Sequence, residues 1–134
     1  MLCVRDISTK FGKNAGLIWQ HLSEKGTLHK DDIIKETELN EKDFHAGVGW
    51  LARENKINEF TDGCYKLDNT NLDKKVGAHA GRVFKILDIW GEVDYESVKR
   101  LSDLSDTELH EALGWLARED KIITDINNRF ILKK

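Results

Sequence analysis

The feature that most constrains this chain is a nine-residue phrase that occurs twice. GWLARENKI spans residues 49–57 and GWLAREDKI spans residues 114–122. Gly49 returns as Gly114, so the two phrases are offset by 65 positions in a chain of 134 residues. Self-similarity at a fixed offset indicates one structural unit present in two copies. We therefore expect two small domains of the same architecture.

The same offset aligns most of the chain. KFGKNAG at residues 10–16 aligns with KVGAHAG at residues 75–81, and the register holds without a gap to Leu67 and Leu132. Many of the matched positions are apolar, as expected for positions that form a core. The predicted organisation is a first repeat with an N-terminal extension, a polar connector and a second repeat: residues 1–68, 69–78 and 79–134.

The charge balance argues against a strong polyanion binder. The formal net charge is −3, from 21 Lys and Arg against 24 Asp and Glu, and the two halves are similarly balanced. Proteins that grip phosphates tightly normally carry a surplus of Lys and Arg.

The cysteines and the start of the chain indicate a soluble protein of a reducing cytoplasm. Cys3 and Cys64 are too few for a disulfide framework and have no second pair at metal-ligand spacing. The first residues carry Arg5, Asp6 and Lys10 around a short apolar stretch, which is typical of neither a signal peptide nor a membrane span. We expect no cofactor and no metal.

Each repeat divides into three helices and a hairpin. In the first repeat apolar residues recur at helical spacing over 14–24, a short extended run precedes a second helix over 30–37, and a third helix starts after Asn40. Residues 56–60 and 64–67 flank a turn and predict a hairpin. The second hairpin is predicted to turn at Asn127 and Asn128, between strands over 123–126 and 130–132.

The third helix is the best specified element. Asn40 can cap it with Asp43 three positions on, and Ser105 with Glu108 has the spacing of a capping box. Asn55 and Asp120 follow the two helices, and both residue types tolerate the left-handed turn that ends a helix.

Helix, short strand, two further helices and a hairpin is the order of a winged helix-turn-helix. The chain resembles a family of small prokaryotic winged-helix domains of uncharacterised function, which carry the phrase G-W-L-A-R-E-x-K-I on the third helix; Gly49–Ile57 and Gly114–Ile122 hold it without a departure. The predicted fold class is mainly α with small β-hairpins, a tandem pair in which each copy has three helices and a two- to three-stranded wing. The resemblance implies a DNA-binding or transcription-regulating role.

The glycine and tryptophan of the phrase predict a close contact. At 100° per residue Phe44 and Val48 point to the core, so Gly49 lies on the opposite face with Trp50 at its margin. A glycine inside a helix costs roughly 1 kcal/mol relative to alanine, and the chain places one at both equivalent positions. We expect another element to approach the backbone there: a nucleic-acid backbone or, more simply, protein, including the other repeat. The candidate interaction faces are Gly49, Trp50, Gly114 and Trp115.

The first helix of the second repeat carries a second apolar strip. Ile86 and Ile89 replace His21 and Glu24 of the first repeat, on the side away from the helix's own core positions. Such a strip needs a second surface to cover it. We expect the first repeat, or a second chain, to provide that surface, so that the repeats pack together.

Two functions of different class follow. A DNA-binding regulator would use the repeated cations and a cation on the second wing, and the candidates are Lys42, Arg53, Lys56, Arg118, Lys121 and Arg129. Double-stranded DNA would then be bound weakly and in a salt-sensitive way, because carboxylates occupy the first turn of each third helix. In the alternative these cations pair with neighbouring carboxylates, and the chain is a protein-interaction adaptor or self-associates.

Enzymatic functions find no support in the sequence. His45 and His110 lie on the flank of the third helix and are expected to be structural or surface residues. There is no phosphate-cradling glycine loop, no Ser-His-Asp order and no metal-ligand spacing. The resemblance favours the DNA-binding regulator and the charge balance favours the adaptor; we predict a DNA-binding regulator, with the adaptor as the alternative. A continuous positive stripe joining the third helix to the wing would favour DNA, and scattered paired charges would favour the adaptor.

Overall fold

The computed structural model describes residues 4–5, 7–125 and 127–133. In chain order its elements are β1 (Val4–Arg5), α1 (Ile7–Lys25), β2 (Leu28–His29), α2 (Lys30–Thr37), α3 (Glu41–Arg53), β3 (Ile57–Thr61), β4 (Cys64–Leu67), α4 (Asp73–Trp90), α5 (Tyr95–Ser102), α6 (Asp106–Arg118), β5 (Ile122–Asp125) and β6 (Phe130–Leu132). The two repeats have the same order of helices and hairpin, as the internal repeat predicts.

Local signals place the third helices correctly. The side chain of Asn40 accepts a hydrogen bond from the Asp43 backbone N–H at 2.7 Å, and Ser105 with Glu108 forms the predicted capping box. Asn55 and Asp120 adopt φ values of 60° and 59°, the left-handed conformation expected where α3 and α6 end. These features depend only on neighbouring residues, and for that reason the sequence is sufficient to find them.

The first helix of each repeat is longer than predicted. Helix α1 begins at Ile7 rather than near residue 14, and residues 73–78, predicted as part of the connector, form the first turns of α4. The reason is tertiary, because the early residues pack on the opposite repeat. Phe11 belongs to the core of the second repeat, whereas Leu72 and Val76 belong to the core of the first. Each core therefore contains residues from the start of the other repeat.

One of the two sheets is also shared between the repeats. Strands β2, β4 and β3 form an antiparallel sheet in the first repeat, in that order. In the second repeat β5 pairs with β6 on one side and with β1, from the start of the chain, on the other. A single bridge between Val93 and Phe130 replaces the short strand β2 of the first repeat. Ile126, predicted as the last residue of a strand, lies outside the described residues.

The repeats pack together, but not through the strip on α4. Ile86 is 8% exposed and belongs to the second core, whereas Ile89 is 75% exposed. The first of the two expected surfaces, the first repeat, therefore does not cover Ile89, and coverage by a second chain stays a prediction. Helix α4 packs chiefly on α6, and its last three residues, including Ile89, are exposed to solvent.

Candidate interaction site at the crossing of the third helices

The two glycines of the repeated phrase lie against the backbone of the opposite repeat. A Cβ atom added to Gly49 would lie 2.7 Å from the Glu111 carbonyl carbon and closer still to its oxygen. One added to Gly114 would lie 2.7 Å from the Ala46 carbonyl carbon. Protein Cβ atoms do not come this close to backbone, so both positions require glycine for α3 and α6 to cross here. The element that approaches each glycine is the third helix of the other repeat.

This crossing buries both faces of the third helices. Phe44 and Ala46 point to opposite sides of α3, and both are 0% exposed. In α6 the equivalent pair, Leu109 and Glu111, is also buried. The middle of each third helix is therefore covered on both sides and does not present a face to solvent.

Arginine and glutamate of the phrase form ion pairs across the crossing. The Nε of Arg53 lies 3.1 Å from Oε2 of Glu119, and the Nε of Arg118 lies 2.9 Å from Oε2 of Glu54. The lysine of each phrase completes the set: Lys56 lies 3.6 Å from Glu54, and Lys121 lies 3.3 Å from Glu119. The result is two cation–carboxylate–cation groups, each drawing one arginine from the opposite repeat.

The tryptophans occupy the space beside these pairs. The Arg53 guanidinium lies 5.6 Å from the Trp115 ring centroid, and that of Arg118 lies 5.8 Å from the Trp50 ring, both within range of a cation–π attraction. Each indole also covers a glycine of the first helix in its own repeat. A Cβ atom on Gly12 would lie 3.1 Å from the Trp50 ring.

The repeated phrase is therefore an interface that contacts its own copy. The glycine of the phrase allows the two helices to cross closely, and the tryptophan packs beside the crossing. The arginine and glutamate form ion pairs across it, and the lysine pairs with the same glutamate. An isologous contact uses the same patch on both partners, so each of its residues must occur twice. This requirement accounts for a nearly identical phrase in two repeats that differ at most other positions.

Two of the DNA-binding candidates lie away from these groups. Lys42, exposed at the start of α3, places its Nζ 5.3 Å from the Tyr95 ring centroid in the second repeat. Arg129, between β5 and β6, pairs with Glu92 at 3.7 Å. The structure thus distributes the six predicted cations over separate places, and five of them pair with carboxylates.

One buried residue at the crossing is not evident from the sequence. Glu111 of α6 corresponds to Ala46 of α3, and its buried Oε1 has no hydrogen-bond partner among the described residues. Burial raises the pKa of this carboxyl to about 7, against the attraction of Lys75. A glutamate on an outward helical position predicts solvent exposure, and only the contact between the repeats reverses that expectation.

The two histidines of the third helices are buried, which agrees with a structural role. Burial, with a smaller contribution from the charge of Lys30, lowers the pKa of His45 to about 4. Burial also lowers the pKa of His110, whose Nδ1 lies 2.8 Å from the Asp106 carbonyl oxygen. Both imidazoles are therefore neutral near pH 7. The described residues contain no cluster of three or more His, Cys, Asp or Glu arranged to hold a metal ion.

Two three-helix units with hairpin wings, joined through their third helices, define a tandem winged helix-turn-helix protein. The chain belongs to the family described as winged helix-turn-helix domain (DUF2582), whose profile matches residues 7–64 and again residues 71–133. The resemblance predicted from the repeated phrase is thereby confirmed. No curated protein matches the chain. No solved structure matches it either. Within the described residues, no helix has the length and apolar character needed to span a membrane.

Proposed function

We propose that this chain is a protein-interaction adaptor that does not bind DNA through its third helices. The observation that carries the proposal is the mutual burial of α3 and α6 at Gly49 and Gly114. In a DNA-binding helix-turn-helix the equivalent helix lies in the major groove with its N-terminal residues at the base edges. Here the outward face of each such helix is occupied by the other.

The size of the helix pair supports this conclusion. The major groove is about 12 Å wide and admits a single α-helix. Two packed helices have axes about 8–10 Å apart and side chains on both outer sides, so a pair is too wide for the groove. Binding in that mode would require the repeats to separate, which would expose the buried alanines and Glu111.

The charges support the same conclusion. Arg53, Lys56, Arg118 and Lys121 are paired with Glu54 or Glu119, so they form closed groups rather than a continuous positive stripe. The first turns of the third helices carry acidic residues: Glu41 and Asp43 in α3, and Asp106 and Glu108 in α6. Their carboxylates would repel phosphates at the point where a recognition helix meets the duplex.

A DNA-binding regulator is the second candidate, and the family description favours it. Its remaining surface is the second wing, where Arg129 is about half exposed and pairs with Glu92 at 3.7 Å. Binding there would rest on few phosphate contacts, with a dissociation constant of roughly 10⁻⁴ to 10⁻⁶ M at physiological salt.

A duplex titration tests the proposal. The full chain is titrated into fluorescent random duplex at 50 and 200 mM salt, with Arg118→Ala and Arg129→Ala as variants. We expect no saturable binding at either salt concentration. Saturable binding that weakens at 200 mM salt and on loss of Arg118 would overturn the proposal, because it would place duplex at the third helices. Binding that depends on Arg129 alone would favour the wing-based regulator.

A further inference from the structure

The second repeat has an exposed apolar patch at the end of its first helix. We call it the Trp90 patch; it consists of Ile89 and Trp90 in the last turn of α4 and Leu101 in α5, which are 75%, 63% and 43% exposed. Trp90 and Leu101 line one groove of about 470 Å³. Large apolar side chains grouped in this way on a surface are typical of a protein contact.

The first repeat provides an internal control for this patch. Lys25 stands at the position of Trp90 and Glu36 at the position of Leu101, and these two residues form an ion pair at 2.6 Å. The same two helices thus carry a solvated ion pair in one repeat and an indole beside a leucine in the other. The winged-helix unit folds with either pair, so the fold itself does not require Trp90 or Leu101. Their exposure is a property of the second repeat alone.

The charges around the groove indicate what covers it. Arg100 and Arg129 supply two cations, and Glu92 and Asp94 supply two carboxylates. Arg100 makes no ion pair within the part of the chain that the structure describes, and the pair between Arg129 and Glu92 is long, at 3.7 Å, with both side chains about half exposed. A partner of one sign would meet repulsion over half of this rim. A second copy of the same surface, turned by a two-fold rotation, can set cations against carboxylates on both sides.

We propose that the Trp90 patch is a self-association site and that its occupant is the Trp90 patch of a second copy of this chain. The inference rests on the proposed adaptor function, since it names a partner for it. Trp90 and Leu101 form the apolar centre of the contact, and the mixed charges form its rim. The contact is small, and interfaces burying less than about 1,200 Å² are weak or transient. We therefore expect a weak monomer–dimer equilibrium, with a dissociation constant of roughly 10⁻⁵ to 10⁻³ M.

Sedimentation equilibrium of the full chain between roughly 10 µM and 1 mM, spanning the expected dissociation constants, tests this proposal. The average mass of the wild-type protein is expected to rise from 15.4 kDa toward twice that value. The double variant Trp90→Lys/Leu101→Glu places the two residues of the first repeat's ion pair at the equivalent positions of the second repeat. It is expected to fold, as judged by its thermal melt, and to associate at least tenfold more weakly. Trp19→Lys is the matched control, because Trp19 is a 44% exposed indole of the first repeat, and it should associate like the wild type.

Three results would overturn the inference: a wild-type protein that stays monomeric at the highest concentration, a double variant that still forms dimers, or an equal loss of association in Trp19→Lys. If the wild-type protein is monomeric and does not bind duplex DNA, only the self-association proposal is contradicted. If it binds duplex DNA through the third helices, the proposed adaptor function itself is contradicted.

Discussion

At the scale of single residues, the hydrogen atom that replaces a side chain at Gly49 and Gly114 controls how close the two repeats come. Both glycines lie in the middle of a helix, where alanine would be the better residue by about 1 kcal/mol. Each faces the backbone of the opposite helix at a distance that excludes a Cβ atom. The stability of the pair thus depends on positions that helix propensity alone would mark as defects.

Alanine at either glycine is expected to destabilise the protein. In Gly114→Ala the new methyl group meets the Ala46 carbonyl, and overpacking of this kind costs about 1–3 kcal/mol, more than the gain in helix propensity. The control is Gly81→Ala in α4, where a Cβ atom would meet nothing within 4 Å. That variant should be more stable than the parent, by about 0.5–1 kcal/mol. Urea unfolding of the three proteins gives the comparison, and equal effects of the two substitutions would contradict the account of the crossing.

Glu111 makes a second prediction at this scale, in the dependence of stability on pH. Its folded pKa of about 7 lies above the ordinary value of 4.5, so the folded state holds a proton that the unfolded state loses between these values. The contribution of Glu111 to stability is therefore complete below about pH 4.5 and is lost as the pH rises through 7. A shift of this size corresponds to about 3 kcal/mol, at 1.36 kcal/mol for each pKa unit.

The measurement compares the wild type with Glu111→Gln from pH 5 to pH 8. The amide stays neutral, so the variant should gain stability relative to the wild type as the pH rises. The comparison removes the opposite contribution of His45, whose lowered pKa of about 4 makes stability fall at acid pH in both proteins. Parallel stability curves for the two proteins would show that the Glu111 carboxyl is solvated rather than buried.

At the scale of elements, local chemistry determines the caps and turns, and contacts between the repeats determine the rest. The capping box at Ser105 and the left-handed residue Asn55 could be predicted because both depend on neighbouring residues. The true start of α1 could not, because Phe11 packs in the core of the other repeat. The exposure of Ile89 could not be predicted for the same reason, because an apolar strip on a helix does not show which surface covers it.

The site follows the same division. The sequence identified the glycine–tryptophan faces as places of close approach, and it left the approaching element open. It also left open whether the repeated cations contact phosphates or carboxylates. The structure places carboxylates beside five of the six candidates, and Glu54 and Glu119 pair with cations of both repeats. Periodicity alone cannot determine this pairing, because it depends on how α3 crosses α6.

The crosswise ion pairs predict a modest coupling between α3 and α6. Arg53 and Glu119 form a partly exposed pair, with side-chain exposures of 46% and 17%, and surface pairs contribute about 0.2–1 kcal/mol. A double-mutant cycle with Arg53→Ala and Glu119→Ala should give a coupling energy in this range, and the coupling should decline at 1 M salt because of screening. A coupling above about 2 kcal/mol, or one that salt leaves unchanged, would show that the ion pairs are stronger contributors than exposed pairs usually are.

At the scale of the whole molecule, the two repeats form one interlocked unit. Each first helix begins in the core of the opposite repeat, β1 extends the sheet of the second repeat, and α3 and α6 bury each other. A pair joined in this way presents its outer surfaces to partners and keeps its third helices inside. The proposed adaptor function rests on this organisation, and the Trp90 patch lies on one of these outer surfaces.

Hydrogen exchange of Gly114→Ala measures this central claim most directly. The substitution lies in α6, but its new methyl group would meet α3, so exchange should accelerate over residues 44–52 of the first repeat as well as over residues 106–118. Gly81→Ala, in the same repeat but facing open space, should leave residues 44–52 as protected as in the wild type. Acceleration confined to residues 106–118 would contradict the account, because it would mean that the third helices do not pack against each other.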